Sequence, residues 1–202
     1  MHHKVNKQKN FTNLLIGGFG LIELMVTISI LILVMGIILT KHSSFNGAVL
    51  LRGQAFNVAL QAREIQLTAV SVISDSVNYR NVYGLHFDTT SQIINIFKDS
   101  DGGHFFEVGE EYGKQSKLDP RYKISEIRLD GASVLGGELS VVFERPNFDA
   151  RFFVGVDNSG AGSSATSAEI DICLKNTSCT AGNVGEVRTV EITKTGQISV
   201  KN

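Results

Sequence analysis

GGFGLIELMVTISILILVMGIIL, residues 17–39, has the length and apolarity of a membrane span, yet it carries Glu23. The 21 residues from Phe19 to Leu39 cover about 30 Å as a helix, one hydrocarbon core. A carboxylate at that depth costs about 3 kcal/mol, so something must offset it. Glu23 is the only ionisable residue between Phe19 and Leu39, and it stands close behind Gly17 and Gly18 and a leader that holds Lys4, Lys7 and Lys9 and no acid.

A basic leader followed by an apolar run is the layout of an export signal. In ordinary secretion the small residues of the cleavage site follow the apolar run, whereas here Gly17 and Gly18 precede it. A cut there leaves the apolar segment on the mature chain. Lysines before the run place the N-terminus in the cytoplasm and the remainder outside. The histidines at positions 2 and 3 are too few for a metal site.

Residues 18–26, GFGLIELMV, resemble the class III signal of type IV prepilins and type II secretion pseudopilins, in which Gly and Phe are followed by Thr or Ser and then LIELMV. The resemblance implies that a prepilin peptidase cuts between Gly18 and Phe19 and methylates the new N-terminal Phe19, leaving Glu23 as the fifth mature residue. Gly20 stands where the family prefers Thr or Ser, a small cost in a first helical turn. The segment also lacks the mid-helix proline of many major pilins and has Gly36 as its weak point. The stretch QAREIQLTAV, residues 61–70, resembles the helix of H-type minor pseudopilins, and amphipathicity alone is the other reading of it.

Glu23 acquires a physical purpose in this setting. After cleavage Phe19 carries a free amine, and the Glu23 carboxylate of a neighbouring subunit can meet that cation in an apolar bundle, where the Coulomb attraction is large. The bland alternative is a protonated glutamate that faces other helices without consequence.

The chain of 202 residues fits one domain plus an appendage. Its formal net charge is −1, and it is −4 beyond the three leader lysines. That balance argues against a general nucleic-acid surface. No proline stands between Phe19 and Pro120, so a long helix is permitted. Past the span, Val58, Ala62, Ile65, Ala69 and Val72 recur at spacings of four, three, four and three, one face of a helix that packs on a sheet. Phe56, Leu60, Leu67 and Val70 are expected to widen that face. After Asp75 the pattern turns to short alternating segments, read as strands at 82–87, 92–97, 122–129, 138–144, 150–156, 168–174, 187–193 and 197–200. Lys194-Thr195-Gly196-Gln197 is a tight hairpin, and residues 158–167 are a Gly- and Ser-rich loop.

The expected organisation is a leader over 1–18, a transmembrane or filament-core helix over 19–40, an amphipathic helix over 41–76, and an antiparallel β domain over 77–202. The fold class is α+β, one long N-terminal helix on an antiparallel sheet, and the resemblance implies the pilin fold.

Other candidate sites carry less. Five residues lie between Cys173 and Cys179, and an exported domain favours their oxidation, with two unpaired thiols as the alternative. In the loop KDSDGGHFFE, residues 98–107, Asp99, Asp101 and Glu107 suggest calcium, although the full EF-hand series is missing and a turn with solvated acids is the preferred reading. No other cofactor is implied. His86 and His104 read as structural or exposed, with no nucleophile placed beside either, and Arg63, Arg121 and Arg128 read as solvated. No catalytic constellation emerges, so no enzyme is expected.

The expected function is structural. The chain reads as a minor pilin or pseudopilin of a type IV pilus-like or type II secretion-like filament, anchored in the cytoplasmic membrane with its C-terminal domain outside. Its implied partners are other pilin or pseudopilin subunits, the prepilin peptidase, the filament assembly platform and the membrane. The alternative is a membrane-anchored binding module that enters no filament.

Overall fold

The computed structural model describes residues 20–71, 82–155, 162–176, 179 and 187–201. The chain is α+β and divides into two compact units, residues 1–43 and 44–202. Helix α1 spans Leu21–Val70. Within it, Leu21–Leu39 is long and apolar enough to cross a membrane, and none of that stretch is buried. Residues 72–76, expected to continue the helix, lie outside the described residues.

In the second unit α1 presents Leu51, Ala55, Val58, Ala62, Ile65 and Ala69 to the core, each at most 4% exposed. Their spacing of three and four keeps them on one side of a 3.6-residue helix. Burying Leu51, Val58 and Ile65 contributes about 1.5–3 kcal/mol apiece, and the alanines between them let the helix approach closely. Phe56, Leu60 and Leu67, expected on this face, are instead 44%, 65% and 54% exposed. At about 100° per residue they fall half a turn away from the buried stripe. Apolarity drew them to that face in the sequence reading, but rotation about the helix axis places them opposite.

The strands are β1 (Val82–Asp88), β2 (Ile93–Asp99), β3 (Ser116–Lys117), β4 (Tyr122–Leu129), β5 (Ala132–Ser133), β6 (Glu138–Phe143), β7 (Ala150–Phe153), β8 (Ser167–Leu174), β9 (Val187–Thr193) and β10 (Ile198–Lys201). They form two five-stranded sheets where one was expected, in the orders β3-β2-β1-β6-β7 and β10-β9-β8-β4-β5, and all the pairings are antiparallel. The division arises because β4 pairs with β8, 39–52 residues onward in register, while β6 returns to β1. A backbone bond from Ala150 N–H of β7 to Lys194 O, just past β9, joins the sheets at 2.9 Å. β3 and β5 hold two residues each, too few to register as an alternating pattern.

One core lies between α1 and both sheets, with Leu85, Phe87 and Ile94 from the first sheet and Ile124, Ile170 and Val190 from the second. A smaller cluster of Val82, Phe97, Phe105, Val142 and Phe153 covers the other face of the first sheet. This explains why β1 is buried at almost every position rather than at alternate ones. Gly84 is required there, because a Cβ would come within 2.6 Å of the Phe97 ring.

The β9–β10 hairpin closes with Gly196 N–H on Thr193 O at 2.8 Å, and Gly196 has φ +80°. The buried Gln66 of α1 donates through Nε2 to Gly196 O at 2.9 Å and to Phe148 O at 2.8 Å. One helix side chain therefore satisfies two loop carbonyls that would otherwise be stranded in the core.

Candidate functional site

The first turn of α1 is capped by Gly20, whose carbonyl accepts the N–H groups of Glu23 at 3.0 Å and Leu24 at 3.2 Å. Glycine is an acceptable N-cap. Glu23 falls at the third helical position, where its negative charge faces the positive end of the helix dipole. Gly18 and Phe19, between which cleavage is expected, lie outside the described residues.

The hydroxyls of the apolar segment are satisfied locally. Thr27 Oγ1 donates to Leu24 O at 2.9 Å and Ser29 Oγ to Met25 O at 2.8 Å, so neither hydroxyl is left without a partner. Glu23 differs, since among the described residues no cation forms an ion pair with it. Leu21–Leu39 is an uncovered, predominantly apolar helix surface with one acid at its start.

A second uncovered apolar surface lies on α1 within the second unit. Val49, Phe56, Leu60 and Leu67 are between 44% and 65% exposed and are spaced seven, four and seven residues apart. That is the repeat of a helix–helix seam. Val70, also expected on the core face, is half-buried.

In the loop after β2 the structure brings Asp99 and Asp101 together with Glu110 rather than Glu107. Their oxygens are engaged by the loop itself. Asp99 accepts Gly102 N–H at 2.7 Å and His104 N–H at 3.1 Å, Asp101 accepts Gly103 N–H at 2.9 Å, and Glu110 accepts Ser100 N–H at 2.8 Å and Glu107 N–H at 3.2 Å. Glu107 contributes its backbone to this arrangement, and the sequence alone gave no sign that Glu110 folds back across the loop.

The structure also brings together a Ser–His pair that the sequence did not suggest. His86 Nδ1 lies 3.0 Å from Ser140 Oγ, across the β1–β6 register. Ser140 Oγ accepts Phe106 N–H at 3.2 Å, which leaves its own hydrogen for the imidazole. Ser140 is fully buried and His86 is 6% exposed, packed against the Phe105 and Phe106 rings. Burial, partly offset by Asp88, lowers the His86 pKa to about 4. The pair is a buried contact in which burial favours the neutral imidazole. His104 stacks on Phe153 at 5.0 Å.

Arg128 is not a solvated arginine. It pairs with the buried Asp171 at 2.9 Å and with Glu169 at 3.2 Å. Burial pushes the Asp171 pKa up, while Thr189 and Arg128 oppose that rise. Arg121 stays exposed beside Asp119, whose pKa its hydrogen bonds lower to about 2, and Arg63 donates to Gln66 Oε1 at 2.8 Å. Cys173 and Cys179 are joined by a disulfide, with their Cα atoms 6.1 Å apart. Comparison of the chain with protein-family models, with curated proteins and with solved structures returns no match.

Proposed function

We propose that this chain is a structural subunit, minor rather than major, of a type IV pilus-like or type II secretion-like filament. In this reading prepilin peptidase removes residues 1–18 and methylates Phe19, and the apolar half of α1 holds the subunit in the cytoplasmic membrane until assembly draws it into a filament core. The β domain forms the outer surface, and the role involves no catalysis. One observation carries the proposal: a single acid in the first turn of the otherwise uncharged, uncovered stretch Leu21–Leu39, directly behind the Gly18–Phe19 dipeptide. A lone anchor gains nothing from that acid, whereas a subunit that must recognise a neighbour's N-terminal amine does. The α+β architecture, with a long helix supplying one wall of the core, agrees with the pilin fold that the motif implies. The exposed seam of Val49, Phe56, Leu60 and Leu67 supports packing among helices of several subunits.

Processing tests the proposal. Mass spectrometry of membrane-extracted protein is expected to find a chain that begins with N-methylated Phe19. An intact leader in cells with active prepilin peptidase overturns it.

A further inference from the structure

Between α1 and the segment leading into β3 runs a groove that the filament reading does not use. Its larger part, about 620 Å³, lies between Gln61, Glu64 and Thr68 of α1 and the strap of Tyr112 to Lys117. A smaller part of about 260 Å³ continues it toward Gln54 and Asn57, sharing Gln61, Glu64, Ser116 and Lys117. On the helix side the polar residues 54, 57, 61, 64 and 68 recur at spacings of three and four. They form a lane between the buried and the exposed apolar stripes.

The opposite wall is a sheet edge. Leu118 N–H bonds to Gln92 O at 2.9 Å, and Ile93 and Ile94 face Lys117 and Ser116 in register. Bonded and non-bonded pairs alternate along an antiparallel ladder, so the N–H and C=O of Lys117 turn away from β2. Next to β3, the Gln115 side chain accepts Ile96 N–H at 2.5 Å and donates to Ile96 O at 3.0 Å. A side-chain amide thus takes the place of a strand there and holds the strap against β2. Across the groove, Gln61, Glu64 and Thr68 of α1 line the facing wall.

The geometry points to a docking site for an extended acidic peptide segment of a partner protein, added as a strand to the outer edge of β3. The peptide backbone bonds to the N–H and C=O of Lys117. Lys114 and Lys117, both exposed, select carboxylates on the strap side, while Glu64 disfavours them against the helix. Every residue of the site belongs to the second unit, so the proposal stands or falls apart from the processing and assembly of the N-terminal segment.

The test uses the full chain in detergent micelles and a fluorescently labelled acetyl-Thr-Val-Glu-Val-Thr-amide peptide, followed by anisotropy. Saturable binding that weakens with salt is expected, with the Glu→Lys peptide at least tenfold weaker. Lys117→Pro removes the outward N–H together with the ammonium but none of the β2–β3 hydrogen bonds, so it should leave that pairing and the melting temperature in place while weakening binding at least tenfold. Lys117→Ala keeps that N–H and should weaken binding only severalfold. As a check that needs no variant, hydrogen exchange at the Lys117 amide should slow at least tenfold when the peptide is added. Absence of saturable binding, equal affinity of Lys117→Pro and wild type, or unchanged exchange at Lys117 overturns the proposal.

Discussion

His86 should make the β domain lose stability across a defined acid range, and the size of the loss follows from its surroundings. The imidazole is 6% exposed, is hydrogen-bonded through Nδ1 to Ser140 Oγ and packs against two phenylalanine rings. Burial lowers its pKa from 6.5 to about 4. Above pH 6.5 neither the folded nor the unfolded chain protonates it, so it has no effect on stability there. As pH falls from 6.5 toward 4 the unfolded chain takes up the proton and the folded chain does not, so stability declines, and below about 4 this contribution is constant. At 1.36 kcal/mol per pKa unit, the shift from 6.5 to about 4 corresponds to a total loss of about 3 kcal/mol. The perturbation is His86→Gln, which keeps a polar partner for Ser140 and cannot become charged. Urea unfolding of full-length protein in micelles, followed by near-UV signals of the tyrosines, gives stability at pH 7, 5.5 and 4. Wild type should lose about 3 kcal/mol more than His86→Gln over that interval. Parallel losses in the two proteins would refute the assignment of a buried neutral imidazole.

Two further outcomes follow from the fold. Gly196→Ala should destabilise the domain by about 2–4 kcal/mol in urea unfolding, since the new Cβ meets Phe148 O and Gln66 Nε2 as well as adopting a left-handed backbone. Gly131→Ala, at nearly the same φ but with nothing within 4 Å, should show only the backbone part, about 1–2 kcal/mol, and equal losses for the two would contradict the close-approach argument. Cys173 and Cys179, bonded in the structure, should resist alkylation in exported protein until a reductant is added, and immediate labelling of both would show that the loop closes without the bridge.

The periodic signals in the sequence became structure, and the non-local ones did not announce themselves. Strands β4 and β9 occupy the expected residues, Tyr122–Leu129 and Val187–Thr193, because apolar residues fall on one side of each. Val58, Ala62, Ile65 and Ala69 face the core as their spacing required. Phe56, Leu60 and Leu67 show the limit of that reasoning, since apolarity identifies a surface that avoids water but does not say whether this chain or another covers it. Glu110, Ser140 and Asp171 gained their places through contacts 10 to 54 residues distant, which no local pattern encodes. The polar lane from Gln54 to Thr68 was visible as a helical spacing, but the strap of Tyr112 to Lys117 that lines a groove with it is distant in sequence. Of the candidate assembly site, Glu23 and its apolar setting were fully legible, because charge in a hydrocarbon-length run is a property of composition alone.

The central claim is that Glu23 serves assembly rather than anchoring, and Glu23→Leu separates the two. The substitution removes a charge that costs about 3 kcal/mol in lipid, so membrane insertion and leader cleavage should be retained or improved. What should fall is the fraction of subunit recovered in sheared surface filaments, or crosslinked to a co-expressed major subunit, relative to the membrane pool. The account predicts a mutant that is processed and membrane-held but poorly incorporated, whereas incorporation equal to wild type would contradict it.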